Sequence, residues 1–467
     1  MLTPILEGGG DRPLYEQLYR HFRGEIEAGR LAAGEKLPSK RALAAHLRVS
    51  VVTVEGAYGQ LLAEGYLRSE PKRGYFVQPA EGPRRLPPEE GPAPAAEEPL
   101  RPRCRYDFST SGVDTGLFPF ATWARLMREV LSGQEDRLLS APPPQGVPEL
   151  RQAIARHLYR FRGVRARPEQ IVVGAGSETL IGFLVQLLGR EGGYGVEDPG
   201  YAKTHRILAS CGARVEPVPL DGQGLRVDEL ARRPVRVVHV TPSHHFPLGT
   251  VMPAPRRQAL LRWASEGPER YIIEDDYDSE FRFSGRPIPA LQSMDGDGRV
   301  IYLNTFAKTL APSLRVSYMV LPMPLLERWR REFWFYASTV PVFEQAALAR
   351  FMEGGHFERH LNRARTRYRA RREALLAAAR DTGLTRSGAF SGGDCGLHLL
   401  LWMDRRWTEE ELTARAAEAG VGVTPLSACD LTPPPPDRPP ALILGYSRMA
   451  AEDMAPALAL LKRAWGF

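Results

Sequence analysis

Apolar residues recur every four positions near the start of the chain, at Leu14, Leu18, Phe22 and Ile26. This spacing predicts an amphipathic helix that begins after Pro13. Two further helices are expected over 41–47 and 51–63, because Ser39 and Ser50 precede them and can cap their first turns. The beginning of the chain is therefore predicted to be helical.

Two short strands are expected next, over 65–68 and 74–77, around a turn at 70–73. Three helices followed by a two-stranded wing indicate a winged helix-turn-helix over residues 11–78. In that fold the third helix lies in the major groove of DNA and the wing lies against the phosphates. The alternative is a protein-interaction domain whose basic residues form a solvated face.

Downstream, short apolar runs alternate with helical stretches. The runs that predict strands are 171–173, 194–201 (a strand that ends in a loop), 235–240, 270–273, 300–303 and 317–321. This alternation predicts an α/β fold with a mostly parallel sheet, in which ligand-binding groups gather at strand ends. Further strands over 397–402 and 441–444 indicate a smaller C-terminal lobe. We therefore expect one large module over residues 106–467.

Residues 79–105, between these modules, are rich in proline and contain almost no large apolar side chains. Such a segment cannot form a core and is expected to be an extended, semi-stiff linker. Whether it is a passive spacer or transmits a signal is left open by its composition.

The chain length, net charge and cysteine count agree with a multidomain protein of a reducing compartment. A chain of 467 residues exceeds one ordinary core, and its net charge of +7 permits a polyanionic partner. The four cysteines form no CxxC pair, so we expect no disulfide framework or zinc site, and a cytoplasmic location. The chain shows no signal peptide pattern and no apolar run of the ~20 residues that a membrane span needs, so we expect no membrane partner.

Candidate chemistry is concentrated in a few segments of the large module. Lys308 lies in a stretch of small and apolar residues, and Arg315 follows it closely. Asp275 comes directly after the predicted strand 270–273. A protein binds pyridoxal phosphate with a lysine amine that can form an imine, an arginine that can hold the phosphate and an aspartate that can pair with the pyridinium nitrogen. The turn 174–179, between a strand and a helix, adds a weak signal for an anion site.

The first module resembles the GntR family of bacterial regulators. The matching segments are 34–41 (GEKLPSKR), 49–54 (VSVVTV), 57–58 (AY) and 65–67 (GYL). The resemblance and the charges imply that these residues contact a double-stranded DNA operator: Lys40, Arg41, Ser50, Thr53, Lys72, Arg73 and Gly74. Several family members have arginines where this chain has Val51 and Glu55, so base readout is expected to differ and valine contacts with thymine methyl groups become possible.

The second module resembles a fold type I aminotransferase, and the whole chain resembles the MocR/GabR subfamily of GntR regulators. The segments that match are 241–247 (TPSHHFP), 274–281 (EDDYDSEF), 284–291 (SGRPIPAL) and 305–308 (TFAK). The resemblance implies a homodimer, with DNA-binding domains that cross over between the subunits.

The resemblance also assigns a role in pyridoxal phosphate binding to individual residues. Lys308 would hold the cofactor as an imine, Asp275 would pair with the ring nitrogen, and Tyr277 would bond the phenolic oxygen. Residues expected to hold the phosphate are Gly176, Ser177 and Glu178 through their amides, with Thr305 and Arg315. Tyr201 would lie near the ring.

Other polar residues of the same segments receive less specific interpretations. Asp276 and Asp278 are interpreted as helix or loop caps. His244 and His245 could contact the cofactor, but we expect at least one of them to be a satisfied loop histidine.

One position departs from the aminotransferase pattern. Ile443 stands where an arginine often binds the substrate carboxylate, and isoleucine cannot form that bidentate pair. Arg448 is near in sequence, and Lys203 could supply one cation. A small amino-acid carboxylate is then held differently or not at all, which raises the hypothesis that pyridoxal phosphate itself is the signal and that vitamin B6 supply is controlled.

Three functions follow from these expectations. The first is a transcription regulator whose aminotransferase-like domain senses pyridoxal phosphate or a small amine or amino acid. In this function no residue of the domain has a catalytic role. The second is a working aminotransferase with an appended DNA-binding domain. The third is a DNA-binding protein whose large domain serves only dimerisation.

Overall fold

The computed structural model describes residues 12–79, 104–133, 135–283, 285 and 288–467. The chain divides into two compact units, Met1–Arg101 and Pro102–Phe467. Most of the expected linker, residues 80–103, lies outside the described residues, as do Ser284, Arg286 and Pro287 of the quoted 284–291 segment.

The first unit is the predicted winged helix-turn-helix. Its helices are α1 (Leu14–Glu27), α2 (Lys40–Leu47) and α3 (Val51–Ala63), and its strands are β1 (Lys36–Leu37), β2 (Leu67–Glu70) and β3 (Gly74–Val77). The strands form an antiparallel sheet in the order β1-β3-β2. The limits of α3 and β3 are those expected, whereas β2 begins two residues later and the short β1 was not predicted.

Capping and apolar spacing explain why these helices form. The Ser39 hydroxyl accepts a hydrogen bond from the amide of Ala42, and the Ser50 hydroxyl accepts one from the amide of Thr53. The apolar faces of the helices meet in one core whose most buried members are Leu18, Val54, Ala57, Tyr58 and Leu61. The polar face of α3 is left exposed.

The second unit is built around a large sheet. Its strands from β4 onward are β4 (Tyr106–Asp107), β5 (Ile171–Gly174), β6 (Tyr194–Asp198), β7 (Val215–Asp221), β8 (Gly224–Leu225), β9 (Val237–Val240), β10 (Tyr271–Asp275), β11 (Val300–Thr305) and β12 (Ser317–Val320). Within the described residues, eight of these strands pair in the order β5-β12-β11-β10-β9-β6-β7-β8. The strands from β11 to β7 are parallel, while β12 is antiparallel to both its neighbours. The expected mostly parallel sheet is confirmed.

Helices cover this sheet on both faces, and a second lobe follows. The helices are α4 (Phe120–Leu131), α5 (Glu135–Leu139), α6 (Pro148–Arg162), α7 (Ser177–Leu188), α8 (Ala202–Ser210), α9 (Val227–Ala231), α10 (Ala254–Ser265), α11 (Met323–Glu332), α12 (Val342–Glu353), α13 (His356–Asp381), α14 (Glu409–Glu418) and α15 (Ala451–Ala464). The lobe contains β13 (Gly388–Ser391), β14 (His398–Met403), β15 (Val421–Gly422), β16 (Thr424–Pro425) and β17 (Ala441–Gly445). The predicted smaller C-terminal lobe is therefore present.

The parallel strands fix the position of the candidate site. Their carboxyl ends lie at one edge of the sheet, where β10 ends in Asp275 and β11 ends in Thr305. Ser317, the first residue of antiparallel β12, pairs with Thr305 at the same edge. The segment with Lys308 leaves this edge directly after β11. In the described part of the chain, no helix is long and apolar enough to cross a membrane.

Candidate functional site

A cavity of about 350 Å³ opens at the carboxyl edge of the sheet. All the residues that the sequence assigned to the cofactor line it: Lys308, Asp275, Tyr277, Arg315, Thr305, Gly176, Ser177, Glu178 and Tyr201. They come from segments that are far apart in the chain, so the fold gathers them in one place. The cavity is also lined by residues without a sequence-based role, which are Thr110, Ser111, Thr241, Phe246, Ala307, Pro312, Leu397 and His398.

The Lys308 amine lies inside the cavity and donates a hydrogen bond of 2.7 Å to the carbonyl of Thr110. Burial lowers the pKa of Lys308, and the nearby carboxylate of Asp278 only partly opposes this. A larger share of the amine is therefore uncharged near neutral pH than for an exposed lysine, which is the form that attacks an aldehyde.

Asp275 is backed by a buried histidine. Its Oδ2 lies 3.3 Å from Nε2 of His239, whose strand β9 is parallel to β10. Sequence reasoning missed His239, because nothing in its own strand distinguishes it from a core residue. A carboxylate held in this way at a strand end can accept a hydrogen bond from a protonated pyridine nitrogen.

Tyr277 belongs to a buried polar cluster with His244 and Asp278. Nδ1 of His244 lies 3.0 Å from the Tyr277 hydroxyl and 3.0 Å from Oδ1 of Asp278. Gly396 approaches the same imidazole so closely that an added Cβ would overlap the ring, and its φ is +76°. His244 therefore orients Tyr277, and Asp278, which also lines the cavity, holds the histidine instead of capping a helix or loop.

The two remaining histidines of this region take different positions. The His245 imidazole is buried, and its Nδ1 accepts a hydrogen bond from the amide of Leu248 in its own loop. Its Nε2 lies 3.5 Å from Oε2 of Glu197 and has no hydrogen-bond partner among the described residues, so the satisfied loop histidine that we expected is only half satisfied. His398 lines the cavity and its Nε2 donates to the carbonyl of Pro247. Burial lowers the pKa of His398 to about 3, so it is neutral in the folded protein.

A glycine turn, an arginine and the start of α7 form one end of the cavity. Gly176 precedes α7 with φ of +97°, and an added Cβ there would overlap the Arg315 guanidinium and approach Oε2 of Glu178 at 2.7 Å. Backbone amides at a helix start, together with an arginine, suit a phosphate. In the structure the Arg315 guanidinium donates a hydrogen bond to Oε1 of Glu178, and the Lys203 amine lies 3.3 Å from the same oxygen.

Thr305 lies beside this end of the cavity. Its hydroxyl accepts hydrogen bonds from the Ala307 amide, at 3.1 Å, and from the Ser317 hydroxyl, at 2.8 Å. Tyr201 lies at the cavity mouth with 48% of its surface exposed, and its ring contacts Phe246 edge to face at 5.5 Å. The fold thus brings both side chains to the cavity from separate segments.

Asp276 is mainly an ion-pair partner, and capping accounts for only a small part of its contacts: its Oδ2 accepts a hydrogen bond of 2.8 Å from the Ser279 hydroxyl in the same loop. It is buried and forms a bidentate pair with Arg162 at 2.7 and 3.0 Å. The Tyr302 hydroxyl donates to the same carboxylate at 2.6 Å, and Arg162 also donates to the Ser243 hydroxyl. No local pattern signals this pair, because Arg162 lies 114 residues upstream. It is a structural ion pair beneath the site.

Ile443, the residue in place of an arginine, is fully buried and does not line the cavity. It packs in an apolar cluster with Leu400, Leu426 and Cys429 on the small lobe. Arg448 does not line the cavity either, since its guanidinium pairs with Asp107 at 3.1 Å. Among the described lining residues, the cationic side chains are Lys203, Lys308 and Arg315.

The residues assigned to DNA binding lie on the first unit, at the start of α2, at the start of α3 and on the wing. Arg41, Lys72 and Arg73 are exposed, and Arg73 pairs with Glu70 at 2.6 Å. Lys40 pairs with Glu55 of α3. The positive φ of Gly74, +114°, shapes the wing turn.

The recognition-helix residues divide into capping and exposed positions. Ser50 and Thr53 bond each other through their hydroxyls at 2.8 Å, and Ser50 caps α3. Val52 is 74% exposed and Val51 is 43% exposed. Both are therefore available for apolar contact in a groove.

Comparison with protein families matches both units. Residues 14–77 match the family described as bacterial regulatory proteins, gntR family, and residues 109–440 match aminotransferase class I and II. The probable rhizopine catabolism regulatory protein MocR of Rhizobium meliloti is 35% identical over 99% of this chain and 95% of its own length. The chain belongs to the MocR/GabR subfamily of GntR-family transcription regulators.

Two further relatives are similar to this chain over most of its length. The uncharacterized HTH-type transcriptional regulator YhdI of Bacillus subtilis is 40% identical, covering 99% of this chain and 98% of YhdI. The HTH-type pyridoxine biosynthesis transcriptional regulator PdxR of Corynebacterium glutamicum is 33% identical over 88% of this chain and 87% of PdxR.

Solved structures show that the second unit of this subfamily member has the aminotransferase fold. An archaeal alanine:glyoxylate aminotransferase has a TM-score of 0.68 at 24% identity, covering 77% of this chain and 90% of that enzyme. LysN, an α-aminoadipate aminotransferase from Thermus thermophilus, has a TM-score of 0.66 at 26% identity, covering 77% and 91%. LysN was crystallised with N-(5'-phosphopyridoxyl)-L-leucine. The fold is that of a pyridoxal phosphate-dependent family.

Proposed function

We propose that the chain is a pyridoxal phosphate-dependent transcription regulator. Residues 11–78 bind an operator in double-stranded DNA, and residues 106–467 bind the cofactor and report its presence. The observation that carries the proposal is one cavity that holds a buried amine (Lys308), a histidine-backed carboxylate (Asp275) and a cationic glycine turn (Gly176 with Arg315). These are the groups that a phosphorylated pyridine aldehyde needs.

The residues fit the cofactor in the orientation that the resemblance implies. Lys308 would bind the aldehyde, Asp275 the ring nitrogen and Tyr277 the phenolic oxygen. The backbone amides of Gly176, Ser177 and Glu178, together with Thr305 and Arg315, would hold the phosphate, and Tyr201 would lie near the ring. When bound, the group supplies an aldehyde that captures amines and a ring that withdraws electrons from them.

We infer that this chemistry serves sensing and not turnover. Ile443 is buried and stands in place of the arginine that usually binds a substrate carboxylate. His398, which lines the cavity, is neutral and supplies no positive charge in its place. The effector is therefore pyridoxal phosphate itself or a small amine, and the resemblance to PdxR makes control of vitamin B6 supply the first choice.

The test is an absorbance titration of the full chain with pyridoxal phosphate, combined with binding to a duplex selected from a random library. Wild type and the control Lys462→Ala should develop the visible absorbance of lysine-bound cofactor, and Lys308→Ala should not. Saturation should change wild-type affinity for the duplex at least severalfold. If Lys308→Ala developed the same absorbance as wild type, or if cofactor saturation left the wild-type affinity for the duplex unchanged, the proposal would be refuted.

A working aminotransferase is the second candidate, and the cavity with its complete set of cofactor groups favours it. Steady production of a keto acid from any amino donor, abolished in Lys308→Ala, would support this candidate. Absence of turnover in a protein that binds the cofactor would leave sensing as the function.

We further propose that the second unit forms a homodimer, as the resemblance implies, with DNA-binding domains exchanged between subunits. Large apolar side chains on its surface support this, because Phe120, Trp334 and Phe335 are 71%, 72% and 63% exposed. Analytical ultracentrifugation of the full chain should give a dimer, and a monomer at micromolar concentration would contradict it.

A further inference from the structure

The cations at the phosphate end of the cavity already have an anionic partner from the chain itself. Oε1 of Glu178 accepts from the Arg315 guanidinium and lies 3.3 Å from the Lys203 amine. The same Arg315 nitrogen also donates to the carbonyl of Ala175 at 3.1 Å. Oε1 of Glu178 therefore interacts with both Arg315 and Lys203, the two cations that flank the start of α7.

The position of Glu178 in the fold explains this arrangement. It is in the first turn of α7, two residues after Gly176, where the helix dipole favours negative charge. Burial alone would raise the pKa of Glu178, but the backbone amide, Arg315 and Lys203 outweigh burial and lower it. The carboxylate is therefore ionised at neutral pH.

A phosphate would need the same place. The ideal Cβ of Gly176 would lie 2.7 Å from Oε2 of Glu178 and would overlap Arg315, so carboxylate and guanidinium both crowd the glycine turn. A phosphate bound by the turn and by Arg315 would meet this carboxylate as a like charge. Like charges brought into one small site repel, and two anions cannot use one guanidinium fork equally well.

We propose that Glu178 is an internal competitor for the phosphate of the cofactor. Its carboxylate occupies Arg315 and Lys203 until a phosphate displaces it, so affinity is held low enough for occupancy to follow the cofactor concentration. This inference rests on the proposed function and deepens it, because a sensor must release its signal whereas an enzyme keeps its prosthetic group.

The expected effect is moderate because the groups are partly exposed. The side chains of Glu178, Arg315 and Lys203 are 30%, 47% and 50% exposed. Ion pairs with this exposure are weak, and solvent screens the repulsion as well. Replacing the carboxylate by an amide of the same shape should therefore tighten pyridoxal phosphate binding by about tenfold, which corresponds to about 1.4 kcal/mol.

The experiment compares Glu178→Gln with wild type and with Glu191→Gln, which removes one exposed negative charge beyond the other end of α7. Each full-length protein is titrated with pyridoxal phosphate and, separately, with pyridoxal, which lacks the phosphate. Glu178→Gln should lower the Kd for pyridoxal phosphate about tenfold and change the Kd for pyridoxal less than about twofold. Glu191→Gln should match wild type for both ligands.

The outcomes separate this inference from the proposed function. If wild type binds no pyridoxal phosphate, both the proposed function and this inference are contradicted. If wild type binds pyridoxal phosphate and Glu178→Gln binds it with equal or weaker affinity, only the inference about Glu178 is contradicted. Equal tightening for pyridoxal would show a structural effect and not competition for phosphate. Should Glu178→Gln fail to fold, Glu178→Ala is subject to the same comparison and the same criteria.

Discussion

Adjacent residues at the end of β10 have different environments. Asp275 faces the cavity with His239 behind it, whereas Asp276 is turned into the core beneath, where it binds Arg162 and Tyr302. The alternation of side chains along a strand explains the difference, since neighbours point to opposite faces. Binding chemistry and structural support are thus encoded side by side.

Substituting each aspartate in turn should separate the two roles. Asp275→Asn should weaken pyridoxal phosphate binding by about tenfold or more, with a small change in unfolding free energy, because it loses a charge-assisted hydrogen bond to the ring nitrogen. Asp276→Asn should cost about 3–5 kcal/mol of stability, because it leaves the buried Arg162 guanidinium without its counter-charge. Absorbance titration and urea unfolding measure both quantities. Equal losses of binding and stability in the two variants would contradict these assignments.

The exposed valines of α3 and the basic wing are expected to contribute to DNA binding in different ways. Lys72→Ala should weaken binding to all duplexes and reduce the slope of log K against log salt by about 1, because one phosphate contact is lost. Val52→Ala should leave that slope unchanged and alter base preference, since apolar contact with a thymine methyl group is not ionic.

Fluorescence anisotropy at several salt concentrations, with selected and scrambled duplexes, measures both effects. Arg20→Ala, on the exposed face of α1 where Glu16 already pairs with the arginine, is the matched control and should change neither quantity. A reduced salt slope in Val52→Ala, or a normal one in Lys72→Ala, would show that these residues have other roles.

Elements with strong periodicity or clear boundaries could be predicted, and elements defined by long-range pairing could not. The limits of α3 follow from the Ser50 cap and from apolar spacing, and β3 is bounded by Gly74. The two-residue β1 has no pattern of its own, because it exists only through pairing with β3. Short strands of this kind depend on the fold that surrounds them.

The same limit applies to the candidate site. The motif segments supplied the groups expected to touch the cofactor, and the fold places them in one cavity. The hydrogen-bond partners behind them come from distant segments, as with Thr110 for Lys308, 198 residues away. Such partners are fixed by the packing of the whole unit, so no local pattern reveals them.

At the scale of the whole molecule, buried ionisable groups around the cavity should make stability depend on pH. His398 has a pKa lowered to about 3 by burial, and Glu197 has one raised to about 7 by burial. The unfolded chain protonates His398 below pH ~6.5, while the folded chain leaves it neutral, so this group costs stability as pH falls from ~6.5 towards 3. Glu197 acts in the opposite sense, because its contribution is lost as pH rises from ~4.5 through about 7.

His398→Gln isolates the acidic limb of this profile. Wild type should lose about 1.4 kcal/mol through His398 for each pH unit below ~6.5, and the variant should not, because glutamine carries no proton to exclude. Its amide can still donate to the carbonyl of Pro247, so the fold near neutral pH should be kept. Urea unfolding of the second unit between pH ~5 and ~8, at one fixed pyridoxal phosphate concentration, gives the two curves. Parallel curves would mean that His398 is protonated in the folded protein and that burial does not control its charge.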